Sequence, residues 1–180
     1  MARPLITRAR TIEKRNWKSI RGILQRVTAL ETASAGHLDG RFDKCRVYHD
    51  TTQSVGLGAF RWVNFNSTDF DLNGLHNDSV DNTRITIPTT GYYMAGCNIR
   101  WASGIGYRQT EIYINRTTII AFDQDFVDTT ANFAHTLSTP FLLTAGQYLE
   151  VRCFQDDSGG ALNISQYGNA SPTFWAFRIE

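Results

Sequence analysis

Residues 171–179, with the sequence SPTFWAFRI, decide the fold class of this chain. The segment combines aromatic residues of high β-propensity with a period-two alternation that places Trp175, Phe177 and Ile179 on one face. Phe174 opens an opposite face that is also apolar. Because a strand with two apolar faces would aggregate at an exposed edge, we predict that it lies in the middle of a sheet or inside an oligomer contact.

Short segments of similar character recur through the chain before this one. The candidate strands are residues 45–48, 59–65, 84–87, 92–102, 108–115, 118–122, 132–143, 148–155 and 173–179. Turn signals such as Asn73-Gly74 and Ala145-Gly146 separate them. Eight or nine short strands at this spacing predict an all-β antiparallel sandwich or barrel.

The composition agrees with one β domain and an appendage. The chain has 180 residues, of which 42% are hydrophobic and only 19% charged, below the roughly 25% of average soluble domains. Its three cysteines, Cys45, Cys97 and Cys153, are odd in number and widely spaced, which is not the pattern of a disulfide framework. We therefore expect buried free thiols and assembly in a reducing compartment.

The first 30 residues differ in charge from the rest of the chain. They hold eight basic residues against one acid, Glu13, although the net charge of the whole chain is +1. The basic residues are Arg3, Arg8, Arg10, Lys14, Arg15, Lys18, Arg21 and Arg26. This asymmetry indicates a tail with its own partner. We divide the chain into a basic arm with an amphipathic helix at residues 1–36, a linker at 37–44 and a head at 45–180.

The arm carries an apolar stripe at heptad spacing. Ile20, Ile23, Val27 and Leu30 recur at intervals of three, four and three residues, and Trp17 precedes them as a further anchor residue. Two heptads are marginal as an isolated helix, so the stripe needs a partner. That partner is either the sister chains of a bundle or a surface on which the helix docks. A solvated basic helix face is the alternative, and we expect no nucleic-acid partner, because no nucleic-acid-binding fold is recognisable.

Catalytic motifs are missing from the sequence. It has no glycine-rich phosphate loop, no Gly-x-Ser-x-Gly elbow and no His-Glu-x-x-His. His49-Asp50 and His76-x-Asp78 lack an indicated nucleophile, and His76 is more simply a structural residue that holds the loop after Asn73-Gly74. We predict that the protein is not an enzyme and binds no cofactor. Neither an apolar signal sequence nor a run of 18 apolar residues occurs, so we expect no secretion signal and no membrane insertion.

An acidic run is the one weak candidate for a metal site. Asp123, Asp125 and Asp128 offer oxygen ligands that suit calcium, but the glycine and the terminal glutamate of an EF-hand loop are missing. We expect a solvated loop there and assign no metal.

Four aromatic residues are candidates for stacking on a sugar: Trp62, Trp101, Tyr107 and Tyr167. For the two tryptophans, packing in the core or in an oligomer is the simpler interpretation. The two tyrosines lie beside glycines in predicted loops, so they are the better candidates for a receptor-facing surface.

Three stretches carry a resemblance to a known family. They are residues 84–95 (RITIPTTGYYMA), residues 144–151 (TAGQYLEV) and residues 171–179. Together they resemble the C1q/TNF-like jelly-roll domain in the version found in bacteriophage virion proteins, over residues 45–180. The resemblance implies a ten-strand, two-sheet sandwich that forms compact homotrimers and serves in binding and assembly rather than catalysis.

These observations lead to one functional expectation with two alternatives. We expect a non-enzymatic, trimeric phage virion structural protein, a minor tail or fibre-type protein with an outward adhesive head. The first alternative is a capsid decoration protein that stabilises the head shell, and the second is a soluble C1q-like carbohydrate-binding module. The expected partners are the chain itself, other virion proteins through the arm, and a host surface glycan. The expected location is the virion, assembled in the host cytoplasm.

Overall fold

A computed structural model describes residues 19–30, 43–128 and 130–179. The chain divides into two compact units, residues 1–39 and residues 40–180. The described part of the first unit is helix α1, residues 19–30. The described part of the second unit contains strands β1 (Lys44–Tyr48), β2 (Gln53–Val55), β3 (Ala59–Trp62), β4 (Ser67–Leu72), β5 (Arg84–Thr86), β6 (Gly91–Trp101), β7 (Gly106–Ile114), β8 (Thr118–Val127), β9 (Phe133–Leu143), β10 (Tyr148–Gln155), β11 (Leu162–Ile164) and β12 (Thr173–Arg178).

The strands form two antiparallel sheets that pack face to face. The seven-stranded sheet runs in the order β2-β11-β6-β12-β1-β4, and β9 pairs with the other edge of β6. The five-stranded sheet runs β3-β10-β7-β8, and β5 pairs with β10 beside β3. Both sheets contribute apolar side chains to one core between them. The predicted all-β jelly-roll sandwich with a short N-terminal helix is thus confirmed, although the described residues form twelve strands where the resemblance implied ten.

The segment that decided the fold class lies in the interior of its sheet. Strand β12 pairs with β6 on one side and with β1 on the other. Phe174 and Ala176 are fully buried in the core, while Trp175 and Phe177 lie on the outer face and are only partly exposed. The central position predicted for this strand is therefore confirmed.

Burial of the inward residues follows the alternation that the sequence indicates, although the outward Glu111 on β7 and Glu150 on β10 are buried as well. On β7 the inward residues Ile112 and Ile114 are buried, and on β10 Leu149, Val151 and Cys153 are fully buried. A strand whose side chains alternate between faces can bury every second residue in this way.

The three cysteines are free and buried, as expected. Burial raises the pKa of the Cys153 thiol to about 12, and it raises the pKa of Cys97 well above its usual value. A thiol reacts as its thiolate, so these groups are chemically quiet in the folded protein.

The structure differs from the predicted strands in several places, among them β3, which ends at Trp62 and not at residue 65. Strands β2, β4 and β11 were not predicted, and β8 continues through Val127, so the loop expected for the acidic run is wrong for most of its length. Strands β2 and β11 have three residues each, too few to show a period. Strand β4, with the sequence STDFDL, is polar and lies at the edge of its sheet. Strand β8 is also an edge strand, and edge strands tolerate charged residues that central strands exclude.

His76 holds the loop that follows the Asn73-Gly74 turn. Its side chain is fully buried, with Nδ1 2.6 Å from the Arg84 carbonyl oxygen and Nε2 2.9 Å from the Phe65 carbonyl oxygen. Both ring nitrogens are thus occupied by main-chain groups of neighbouring segments. This geometry agrees with the structural interpretation of His76.

Helix α1 presents its apolar stripe on the surface of its own unit. Ile20, Ile23, Val27 and Leu30 are all exposed, and Leu24 adds a fifth apolar side chain. Trp17 and the basic residues before Lys18 lie outside the described residues, as does Lys18 itself. The predicted boundaries at residues 36 and 44 stay predictions. In the part of the chain that the structure describes, no helix is long and apolar enough to cross a membrane.

Candidate functional site

The outer face of the seven-stranded sheet carries a contiguous set of apolar side chains, which we call the assembly face. Cross-strand register places its members side by side on β9, β6 and β12. Its members on β4 lie one strand further on, beyond β1, whose outward residues Lys44 and Arg46 stand between the two groups. Its members are Phe70, Leu72, Tyr92, Met94, Leu142, Trp175, Phe177 and Ile179.

Exposure on this face is high for side chains of this size. Tyr92 is 46% exposed, Leu142 opposite it is 53% exposed and Ile179 is 57% exposed. Phe70 stacks on Phe177 with ring centroids 5.9 Å apart, which joins the β4 edge to β12. Contiguous exposed apolar patches of this kind mark protein–protein contacts in soluble proteins.

A close approach between strands flattens the centre of the assembly face. The Trp175 indole lies directly over Gly96, its cross-strand partner on β6, and occupies the space where a Cβ atom would be. Only glycine leaves room for the ring at this position. The indole is thereby held flat against the sheet.

Polar residues bound the assembly face at the opposite end of the sheet. Asn98 donates a hydrogen bond of 2.7 Å to Thr136 across β6 and β9. Arg46 contacts Asp69 at 2.5 Å, but in register it lies between Trp175 and Phe70, so this ion pair interrupts the apolar area and does not bound it. The apolar area therefore ends at a polar rim on the β6–β9 side, as in protein interfaces.

The outer face of the five-stranded sheet has a different chemistry, dominated by one arginine among aromatic rings. The Arg152 guanidinium lies 4.0 Å from the centroid of the Phe60 ring and 4.6 Å from that of Tyr113. Its Nε donates to Glu111 at 2.6 Å, which fixes the guanidinium plane. Trp62 packs edge-on against Tyr113, so this sequence-predicted aromatic residue is part of the cluster and only partly exposed.

The two tyrosines predicted to face a receptor are both exposed, but Tyr107 lies in strand β7 and not in the predicted loop, while Tyr167 lies in the segment between β11 and β12. Tyr107 packs against Phe126 on the five-stranded sheet, with centroids 5.1 Å apart. Tyr167 stacks with Arg100, which belongs to the seven-stranded sheet. Their receptor role stays a prediction. Trp101 is fully buried, so it is wrong as a candidate for stacking on a sugar.

Two of the three aspartates that were weak metal candidates, Asp123 and Asp125, belong to a cluster of possible metal ligands. The third residue of that cluster was not predicted. Asp123 and Asp125 on β8 and His135 on β9 place one ligand atom each within 4.8 Å of one another. Asp128 is not in this set, because an odd separation along an extended chain turns its side chain to the other face. No sequence pattern links His135 to the two aspartates, since only the packing of the sandwich brings β9 beside β8.

Comparisons with known proteins bear on the fold. No protein-family model and no curated relative matches the sequence. Among solved structures, the chain is similar to Eiger TNF from S. frugiperda (TM-score 0.58, 9% identity, covering 78% of this chain and 94% of that one). It is also similar to the globular domain of the zebrafish complement 1qA protein (0.54, 14%, 77% and 98%) and to murine APRIL at pH 5.0 (0.58, 9%, 76% and 98%).

These similarities define the class of fold. The second unit is a TNF/C1q-type jelly roll, and at such low identity the likeness shows the fold alone. The names of these solved structures denote a TNF, a complement protein and APRIL, and none of them describes an enzyme.

Proposed function

We propose that this protein is a non-enzymatic, homotrimeric virion structural protein of a bacteriophage, with an adhesive head and a basic arm that anchors it to the particle. The assembly face is the structural observation that supports association of the chain with copies of itself. The phage setting rests on the resemblance of residues 84–95, 144–151 and 171–179 to phage members of the fold class. Within this proposal we favour a minor tail or fibre-type protein over a capsid decoration protein.

The assembly face supports a contact between copies of this chain. Its exposed members lie on the sheet that contains both β1 and β12, next to the partly buried Trp175 and Phe177. Burying them in a neighbouring copy would remove roughly 25 cal/mol per Å² of apolar surface from water. A closed cyclic assembly buries the same patch on every copy and leaves none exposed. Three copies is the number that the resemblance implies.

Replacing Tyr92 and Leu142 together by aspartate is expected to abolish the trimer. Two carboxylates inside an apolar contact lose solvation without a partner charge. Light scattering coupled to size-exclusion chromatography should give three times the 20.3 kDa chain mass for the wild type and a monomer for the double variant. The matched control is Val80→Asp, at an apolar residue that is 65% exposed outside the assembly face. A wild-type monomer, or a double variant that stays trimeric, would contradict the proposed face.

The arm supports attachment to the particle. Helix α1 exposes Ile23 and Val27 on one stripe, and Arg21 and Arg26 lie on the same helix. An amphipathic helix with basic residues suits docking onto an acidic protein surface, where the stripe is buried and the charges pair at the rim.

Ile23→Asp combined with Val27→Asp is expected to leave a folded trimeric head that no longer enters particles. The substitutions remove the apolar stripe without touching the second unit. Purified particles from cells that supply only the variant are to be assayed for the protein by immunoblot, with Arg21→Lys as a charge-preserving control. Normal incorporation of the double variant would show that the stripe is not the anchor.

Labelling intact particles with an antibody against the head tests the virion role itself. Label at the tail or its tip supports the adhesin, and label over the shell supports the decoration protein. Absence from particles would overturn the proposal. The exposed Tyr107 and Phe126 on the five-stranded sheet favour a sugar-stacking surface. Glycan binding without affinity for particles would therefore support the soluble carbohydrate-binding module.

A further inference from the structure

His135 has a ring nitrogen that the protein buries without a hydrogen-bond partner. The residue is 1% exposed. Its Nε2 atom neither donates nor accepts a hydrogen bond among the described residues. Leaving a buried polar atom unpaired costs about 1–3 kcal/mol, so native proteins rarely do so without a reason. An unpaired buried nitrogen of this kind is a candidate ligand for a group that the protein binds.

The other ring nitrogen is fixed by the core. Nδ1 lies 2.8 Å from Thr110 Oγ1, and this hydroxyl is itself 3.8 Å from Cys153 Sγ. When Nδ1–H donates to the hydroxyl oxygen, Nε2 carries a lone pair. Histidines that bind metals are oriented by this kind of hydrogen bond on the second nitrogen.

Nε2 points at two carboxylates on the neighbouring sheet. Asp125 Oδ2 is 3.6 Å from it, and an oxygen of Asp123 lies within 4.8 Å. The distance of 3.6 Å is too long for a hydrogen bond. It is close to the roughly 3.4 Å that separates two ligand atoms placed at ~2.1 Å from one tetrahedral ion.

Backbone geometry explains why the two carboxylates converge. Asp123 and Asp125 are two residues apart on β8, so they share one face, opposite Thr110 and Arg108 in register. Strand β8 pairs with β7 and β9 pairs with β6, and no ladder joins β8 to β9 in the part of the chain that the structure describes. The cluster thus lies at the open edge between the two sheets.

The sheet edge is open to solvent beside the cluster. A pocket of about 350 Å³, lined by residues 120–123 and 136–139, includes Asp123 but neither Asp125 nor His135. One nitrogen and two carboxylate oxygens are a donor set for a first-row divalent ion with an open position, whereas calcium takes oxygen ligands alone.

We propose that His135, Asp123 and Asp125 bind one divalent transition-metal ion of the zinc type and that this ion joins the edges of the two sheets. Thr110 is the positioning residue that orients the imidazole ring. The ion links β8 to β9 where the backbone provides no hydrogen bonds. Binding to the folded chain alone must then raise the unfolding temperature.

The test uses the full chain after treatment with EDTA and dialysis into metal-free buffer. Zn²⁺ is titrated by calorimetry, Co²⁺ by its visible absorption, and thermal unfolding is followed with and without Zn²⁺. We expect one ion per chain and a rise in Tm of roughly 5–10 °C at a hundredfold excess over Kd. Asp125→Asn and His135→Gln should each weaken binding at least tenfold, and Asp128→Asn, the matched control, should leave it unchanged.

A second variant protects the test against misfolding of the histidine variant. Asp123→Asn combined with Asp125→Asn changes only the β8 side chains, and it should abolish the visible Co²⁺ spectrum while the protein stays folded. No heat and no Tm shift at about 1 mM Zn²⁺ would overturn the proposal. An equal loss in Asp128→Asn, or tighter binding of Ca²⁺ than of Zn²⁺ that does not depend on His135, would overturn it as well.

Discussion

Gly96→Ala is expected to lower the free energy of unfolding by about 1–3 kcal/mol, the usual cost of overpacking a tight site. A Cβ atom at this position would overlap the Trp175 indole and lie 2.6 Å from the Leu137 carbonyl oxygen. The ring could move away, but the carbonyl belongs to the backbone of β9, which is paired with β6 along its whole length. The strain must therefore spread into the sheet. Urea denaturation at fixed protein concentration measures the loss.

The matched control for this substitution is Gly56→Ala. A Cβ atom on Gly56 would meet only Ala59 at 3.5 Å, which is an ordinary contact. We expect a change below about 0.5 kcal/mol there. Removing the indole with Trp175→Ala should relieve part of the strain in Gly96→Ala, so the two changes should not add. A stability of Gly96→Ala equal to that of Gly56→Ala would refute the close approach.

Arg108→Met is expected to destabilise the head by about 3–5 kcal/mol, the cost of leaving a buried charge without its partner. Arg108 is 1% exposed, and its Nη2 donates to Asp157 Oδ2 at 3.0 Å while Nη1 donates to the Tyr107 carbonyl at 2.8 Å. Methionine fills much of the volume but offers no donor. The Asp157 carboxylate, itself buried, then loses its cation. Thermal and urea unfolding should both report the loss.

Two further variants separate the charge effect from packing. Arg61→Met removes an arginine from the exposed edge strand β3 and should change stability by less than about 0.5 kcal/mol. Asp157→Asn in the Arg108→Met background removes the stranded charge and keeps an oxygen that can accept from Gly159 N, a hydrogen bond of 2.7 Å in the wild type. It should recover part of the loss. Without any recovery, packing rather than charge would be the cause.

Much of the fold follows from alternation that is visible in the sequence. Strand β10 has the predicted bounds, Tyr148–Gln155, because Leu149, Val151 and Cys153 alternate with polar residues. Strands β2 and β11 escaped prediction because three residues do not establish a period, and the chain there is held by pairing with distant strands. The strand predicted at residues 118–122 ended too early, because the second half of β8 carries aspartates, which are rare in strands but tolerated at an edge.

The assembly face and the metal cluster could be predicted from the sequence only in part. The alternation in β12 placed Trp175 and Phe177 on one face, but their neighbours on β1 and β6 were not predictable, since register depends on which strands pair. The metal cluster was indicated by Asp123 and Asp125 alone. Its third member, His135, lies on another strand, and the sequence carries no sign of the contact.

The fold class, the central place of the last strand and the burial of the three thiols follow from the sequence, because each depends on local alternation and on the apolar character of single segments. The composition of the assembly face, the indole over Gly96 and the contact of His135 with two carboxylates depend instead on how the strands pack. Those features arise where segments far apart in the chain are brought together, and side-chain periodicity along one strand carries no information about its neighbour in the sheet or across the sandwich.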